Sequence, residues 1–309
     1  MRLSRLSPSL PLRFPVRRLH SNKDYPNGAK MLVEPSWLES HLKEPGIRLI
    51  DCNSLEAYRR AHIASAIRLP LHPYLKEDTE THVISMSVLM NTMAALGISK
   101  NSKVIAYDDC NSLFATRLWW LLKYYGHEDV SVLHGGFQRW AFVDRRAIEF
   151  HASTSVGTPT KTTQGYLYLH ANSSRIALFP EVSEVARKQP KDTVVFDARS
   201  DEEYVGTSPI ASRKGHIPGA RNLEYTKAMT RDDTRMFLPP VELQKLIDST
   251  LSIPSKESKV ITHCQKGIRG AHAAFVLELM GYKNVKNYDA SIFEYAAKPA
   301  DQAPLVKGN

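Results

Sequence analysis

Two halves of this sequence match each other at an offset of roughly 155 residues, which is the size of a domain and far beyond a solenoid period. Arg48-Leu49-Ile50-Asp51-Cys52 is answered by Val194-Val195-Phe196-Asp197-Ala198, and His62-Ile63-Ala64-Ser65-Ala66 by His216-Ile217-Pro218-Gly219-Ala220. Lys103-Val104-Ile105-Ala106-Tyr107-Asp108 is answered by Lys259-Val260-Ile261-Thr262-His263-Cys264, and Val130–Leu133 by Val285–Tyr288. A chain of 309 residues holds two ordinary domains, so the pattern reads as a duplicated domain. In each half short β-branched runs alternate with amphipathic helical patterns such as Ala115–Tyr125 and Ala271–Met280. That alternation predicts an α/β fold with a mostly parallel sheet flanked by helices in each half. The polar, Ser/Thr-rich stretch from Phe150 to Gly165 lacks periodicity and reads as linker. The expected division is a tail over 1–25, a first domain over 30–148, a linker over 149–175 and a second domain over 176–305.

The halves differ at one chemically decisive position. The strand Val260–His263 ends in Cys264, followed by Gln265-Lys266-Gly267-Ile268-Arg269-Gly270 and a helical pattern. In a parallel α/β sheet, ligands bind at the carboxyl ends of the strands. A helix start aims free N–H groups and a positive dipole end at such a residue, and Lys266 and Arg269 add charge. All these favour the thiolate, the nucleophilic form of cysteine. Cys52 and Cys110 lack such a loop and read as small hydrophobes. Three cysteines make no disulfide framework or zinc-finger spacing, so no metal or other cofactor is expected and a reducing compartment fits.

The formal charge of +9 is unevenly spread. Arg2, Arg5, Arg13, Arg17 and Arg18 precede the first carboxylate, Asp24; removing these five leaves +4 for the rest. Nucleic-acid binding through bulk charge is therefore not expected, and no apolar run approaches the ~20 residues of a membrane span. The Arg-, Ser- and Leu-rich start resembles a mitochondrial presequence, although Pro8, Pro11 and Pro15 interrupt any helix there; a cytoplasmic protein with a basic tail is the alternative.

Asp197-Ala198-Arg199, Glu203-Tyr204, Gly215-His216-Ile217-Pro218-Gly219-Ala220, the Cys264-x-x-Gly267 loop and Gly281-Tyr282-x-Asn284-Val285 together resemble the rhodanese family. Two copies with the loop cysteine only in the second resemble its tandem-domain thiosulfate and 3-mercaptopyruvate sulfurtransferases, over roughly residues 30 to 300. The resemblance implies two tandem rhodanese-like domains, the first silent because Asp108 stands where Cys264 stands in the second. It also implies a persulfide on Cys264, with sulfur passing from a small-molecule donor to cyanide, a thiol, or an acceptor protein such as thioredoxin. Gln265, Gly267 and Ile268 would contribute loop N–H groups, and Lys266 and Arg269 cations. Arg199 would bind donor oxygens, with Arg213 a weaker candidate. Lys266, and the absence of a loop-end hydroxyl, favour thiosulfate over 3-mercaptopyruvate. The chain departs from the family in Tyr288-Asp289-Ala290-Ser291-Ile292, which lacks the usual glycine and tryptophan, and in Asp51-Cys52-Asn53, which lacks the first half's arginine.

Asp197 is expected to orient the loop, and His216, His263 and His272 to be packed structural residues, while His62 could line a cleft shared by the halves. Two rivals remain. A cysteine phosphatase would share the His-Cys…Arg pattern, but it needs five residues between Cys and Arg where this chain has four, Gln265 to Ile268. A non-catalytic rhodanese-like binding module would not need the activated cysteine.

Overall fold

The computed structural model describes residues 19–308 apart from 70, 73, 80, 151–169 and 209–211. The first half contains β1 (Leu32–Val33), β2 (Ile47–Asp51), β3 (His62–Ile63), β4 (Ile67–Arg68), β5 (Lys103–Tyr107), β6 (Val130–Leu133) and β7 (Ile148–Glu149). The second contains β8 (Ile176–Ala177), β9 (Thr193–Asp197), β10 (Arg221–Asn222), β11 (Lys259–His263) and β12 (Asn284–Tyr288). The two five-stranded sheets run β1-β6-β5-β2-β4 and β8-β12-β11-β9-β10, the same order in both, with every pair parallel. The duplicated α/β fold expected from the repeat is therefore present. Strands β5 and β11 are central and buried, as their Val-Ile-rich sequences require of strands covered on both faces.

Each central strand leads through a short loop into a long helix, Leu113–Tyr124 in the first half and Ile268–Leu279 in the second. Both start earlier than the apolar pattern suggested, because left-handed N-caps, Ser112 (φ 60°) and Gly267 (φ 82°), turn the chain directly from loop to helix. These equivalent helices pack on each other across the middle of the molecule. Trp119 meets Phe275 edge to face at 4.9 Å, and Phe275 stacks on Phe237 at 5.3 Å. One apolar core runs through this contact from half to half.

The expected tail covers residues 1–25. Residues 1–18 lie outside the described residues, but 19–25 belong to the fold. Tyr25 is buried and donates to the Leu238 carbonyl (2.8 Å), and His20 Nε2 lies 2.9 Å from the Phe237 carbonyl. The expected linker over 149–175 lies mostly outside the described residues. At its ends, Glu149 belongs to β7, while Asn172 N–H donates to the Tyr124 carbonyl and Arg175 pairs with Glu278. Among the described residues no helix is long and apolar enough to cross a membrane.

Candidate active site

Cys264 is the first residue beyond β11, at the carboxyl edge of the second sheet, and it is 1% exposed. Its loop rests on the segment after β12. Cys264 N–H donates to Ser291 Oγ (3.1 Å), which donates to the Tyr288 carbonyl (2.7 Å). The Cys264 and Gln265 carbonyls accept from the N–H groups of Ile292 (3.2 Å) and Phe293 (3.0 Å) at the start of the Ser291–Tyr295 helix. With these backbone groups paired below, the loop's shape is set before any substrate arrives. Gly267 turns it at φ 82°; a Cβ there would run into the Asp289 carbonyl, so glycine is required both by conformation and by space. Asn287 Nδ2 closes the turn by donating to the Gly267 carbonyl (3.0 Å). Ile268 is buried as the first helical residue, and Gln265 and Lys266 are half-buried.

The cations expected around the thiol are more committed than the sequence suggested. Arg269 makes a two-pronged pair with Glu203 (2.5 and 2.8 Å), itself fixed by a capping box with Ser200. Burial works against the arginine's charge, but the Glu203 hydrogen bond and a thiolate at Cys264 more than offset it, so its affinity for the proton rises. The Lys266 ammonium lies over the Phe293 ring at 5.0 Å.

Arg199 does not form the exposed pair with Asp201 or Glu202 that its sequence position allows, nor does it present an open fork to solvent. It is 1% exposed, and its Nε and one Nη grip the Asp197 carboxylate (2.6–3.0 Å) while donating to the Gly215 carbonyl (3.0 Å). Asp197 also accepts the Arg199 N–H (3.1 Å). Burial would raise this carboxyl, but His263 and Arg199 hold it below the usual range. As placed, Arg199 neutralises a buried carboxylate instead of offering itself to a donor. Arg213 is likewise spent on carbonyls, those of Ala296, Tyr295, Lys298 and Ala303 (2.8–3.4 Å).

The histidines are packed residues. His216 stacks on Tyr204 at 3.7 Å and directs Nδ1 to the Tyr204 carbonyl (2.9 Å). His62 repeats this in the first half, stacked on Tyr58 at 3.9 Å with Nδ1 on the Tyr58 carbonyl (2.9 Å), so it is a structural lock and not a cleft-lining group. Burial lowers His263 and takes His272 down to about 4.

The first half displays what its own copy of the loop holds. Asp108, equivalent to Cys264, is 1% exposed. Its Oδ1 accepts from the N–H groups of Cys110 (2.8 Å) and Ser112 (2.9 Å), and its Oδ2 from those of Phe114 (2.8 Å) and Ala115 (2.7 Å). Four backbone donors converge on one buried anion, which is an anion-binding nest filled by its own side chain. Burial pushes Asp108 up to about 6 despite these donors.

Sequence reasoning missed the first half's contribution to the second half's site. Lys76 Nζ reaches across to Asp289, bonding Oδ2 (2.5 Å) and the carbonyl (2.8 Å), and also donates to the Thr81 carbonyl (2.9 Å). Arg117, fully buried, donates from Nη1 to Asp289 Oδ1 (2.6 Å) and from Nε to the Tyr74 carbonyl (2.8 Å). Asp289 is the residue whose carbonyl abuts Gly267. The available signal was Tyr288-Asp289-x-Ser291: its two retained polar residues are the ones the site uses.

The rhodanese-like domain family matches this chain twice, over residues 34–142 and 181–298. The chain belongs to the rhodanese family. It is 32% identical over 307 residues to a protein of Haloferax volcanii provisionally named a thiosulfate sulfurtransferase, covering 94% of this chain and 100% of that protein. It is 31% identical over 291 residues to the sulfur carrier protein TtuD of Thermus thermophilus, covering 90% and 97%. Among solved structures, Tum1 of Saccharomyces cerevisiae superposes with a TM-score of 0.75 at 20% identity, covering 90% of this chain and 98% of that one, a likeness of fold.

Proposed function

We propose that the chain is a sulfurtransferase in which Cys264 takes the outer sulfur of thiosulfate as a persulfide and passes it to a thiol or cyanide. The observation that carries this reading is the Asp108 nest. In the first half the loop builds converging N–H donors over the residue at the strand end, and the equivalent residue of the repeated loop in the second half is a thiol. Such a nest favours the anionic thiolate and the anionic persulfide alike. The relatives named for sulfur transfer and sulfur carriage support the same chemistry.

In the first step the Cys264 thiolate attacks the outer sulfur, the S–S bond breaks with its electron pair on sulfite, and Cys–S–S⁻ remains. In the second step an acceptor thiolate attacks the outer sulfur, releasing the Cys264 thiolate and the acceptor persulfide; cyanide leaves as thiocyanate. Splitting the transfer this way is covalent catalysis. Lys266 suits an anionic donor, whereas the Glu203 grip on Arg269 leaves no open guanidinium fork for the phosphate of a phosphatase. The TtuD likeness favours a protein thiol among the acceptors. Mitochondrial import is proposed from the arginine-rich first 20 residues, and a reporter fused to them that stays cytosolic would remove it.

The test is intact mass after incubation with thiosulfate and, separately, with 3-mercaptopyruvate. The expected result is a gain of about 32 Da on Cys264, faster with thiosulfate, absent in Cys264→Ser and discharged by cyanide. No gain with either donor would leave a binding module, and faster loading from 3-mercaptopyruvate would reverse the donor assignment.

A further inference from the structure

Resting on the sulfur-transfer reading of Cys264, we propose that Lys76, a residue of the first half, is a positioning residue for that thiol: with Arg117 it clamps Asp289 against the Gly267 turn that shapes the thiol's loop.

Three observations carry this. Lys76 and Arg117 divide the Asp289 carboxylate, one oxygen each (2.5 and 2.6 Å), and all three side chains are at most 3% exposed. Buried charges at this spacing cost desolvation that only tight mutual pairing offsets, so the clamp is held in one geometry. Second, the clamp touches the reactive loop: the Asp289 carbonyl that Lys76 binds (2.8 Å) is the atom packed against Gly267, three residues from the thiol.

Third, the duplication supplies a control. Lys76 bridges Val83 in the segment facing the second half, and Met229 bridges Phe237 at the corresponding place in the other half. Arg117 and His272 are each the fifth residue of their equivalent helices, and Asp289 and His134 each follow the last residue of β12 and β6. So Lys76, Arg117 and Asp289 at the thiol loop correspond to Met229, His272 and His134 at the silent loop. Burial takes both histidines down to about 4, so those three positions carry no charge at neutral pH. The charged clamp stands only where there is a sulfur to serve.

Electrostatics agrees. Burial pushes Lys76 down to about 8, Arg117 adds to that, and Asp289 and an ionised Cys264 pull it back. The charged groups that face Lys76 are Asp289 and Arg117. Lys76 is charged below about 8 and neutral above it, so its ion pair with Asp289, and the clamp on the Gly267 turn, weakens as pH rises through that value.

The experiment compares wild type, Lys76→Met and Lys76→Arg from pH 6 to 9.5. Two rates are read on the Cys264 peptide by mass spectrometry: loading from thiosulfate, and alkylation by iodoacetamide. Lys76→Met leaves Asp289 paired with Arg117, so it orphans no buried charge; if it does not fold, Lys76→Gln takes its place. Both rates are expected to fall about tenfold at pH 7 in the uncharged variant and to recover to within about threefold in Lys76→Arg. The wild-type loading rate should decline above about 8, and Lys76→Arg, which does not titrate there, should lack that decline. Rates within twofold of wild type in the uncharged variant, or the same decline in Lys76→Arg, overturn the proposal. Alkylation separates the two readings: if wild type does not load sulfur but its alkylation still depends on the charge at 76, the sulfur-transfer reading fails while Lys76 remains a positioning residue for the thiol.

Discussion

At the scale of single residues, Gly267 is the position with least freedom. Its φ of 82° costs a residue with a Cβ about 1–2 kcal/mol. Here the Cβ would also displace the Asp289 carbonyl, which Lys76 holds from the other side. Gly267→Ala is therefore expected to lower unfolding stability by about 2 kcal/mol in urea titration. Sulfur loading of Cys264 should fall further than stability, because the shifted atoms are those that shape the loop. Gly267 and Cys264 were legible because each chemistry is local: a strand end, a turn and a helix start adjoin in sequence. Lys76 and Asp289 were not, because 213 residues separate them and only the docking of the halves brings them together. Arg199 was legible as a buried-strand neighbour but not in its role, since nothing local says whether an arginine faces a donor or the carboxylate two residues earlier.

The element that explains the division of labour is the loop between central strand and long helix. In the first half it closes on Asp108, and four N–H groups are satisfied by one carboxylate. Asp108→Ala would leave those donors facing a void or a trapped water. A buried donor without an acceptor costs about 1–3 kcal/mol. With partial rescue by water, a loss of roughly 3 kcal/mol is expected for the whole nest, measured by chemical denaturation. Cys264 loading by that variant, measured on the fraction that stays folded, should remain near wild type, since Asp108 touches no group at the thiol. Loss of loading in a fully folded Asp108→Ala protein would show that the silent loop has a catalytic part. The repeat made it legible that an aspartate stands in this element where the second half has a cysteine; that its N–H groups fold onto the aspartate itself is visible only in three dimensions.

At the scale of the molecule, the amino-terminal segment and the helix–helix contact help the Lys76–Asp289–Arg117 clamp bind the halves. The amino-terminal segment reaches the second half through Tyr25 and Asn27 and is held to the first half at Glu34. Burial would raise its carboxyl, but His134, Arg139 and the Asn22 N–H bring it down to about 2. Burial takes His134 itself down to about 4, so near neutrality the histidine acts as a neutral Nδ1–H donor and Arg139 supplies the charge. A carboxyl with a lowered folded value stabilises above its unfolded value of about 4.5, and that contribution fades as pH falls towards 2. Discounted for solvent screening, Glu34→Gln should cost on the order of 2 kcal/mol at pH 7, and the gap to wild type should narrow below about pH 4.5. Urea midpoints at pH 7, 5 and 3.5 test the sign. The helix–helix contact is the packing of the Leu113–Tyr124 helix on the Ile268–Leu279 helix. Trp119 is 1% exposed, meets Phe275 edge to face and lies under the Arg175 guanidinium at 5.4 Å. Removing so large a buried ring costs about 3–5 kcal/mol. Here the loss falls on the contact that joins the halves, so Trp119→Ala should split one cooperative thermal transition into two, as expected when domains cease to unfold together. Arg117 stands two residues away on the same helix, and its grip on Asp289 depends on that helix staying docked. The variant should therefore load sulfur on Cys264 more slowly at temperatures below either transition, although Trp119 is no part of the thiol's own loop. Normal loading alongside split unfolding would mean that the clamp forms without the helix contact, and that the second half holds its active loop unaided.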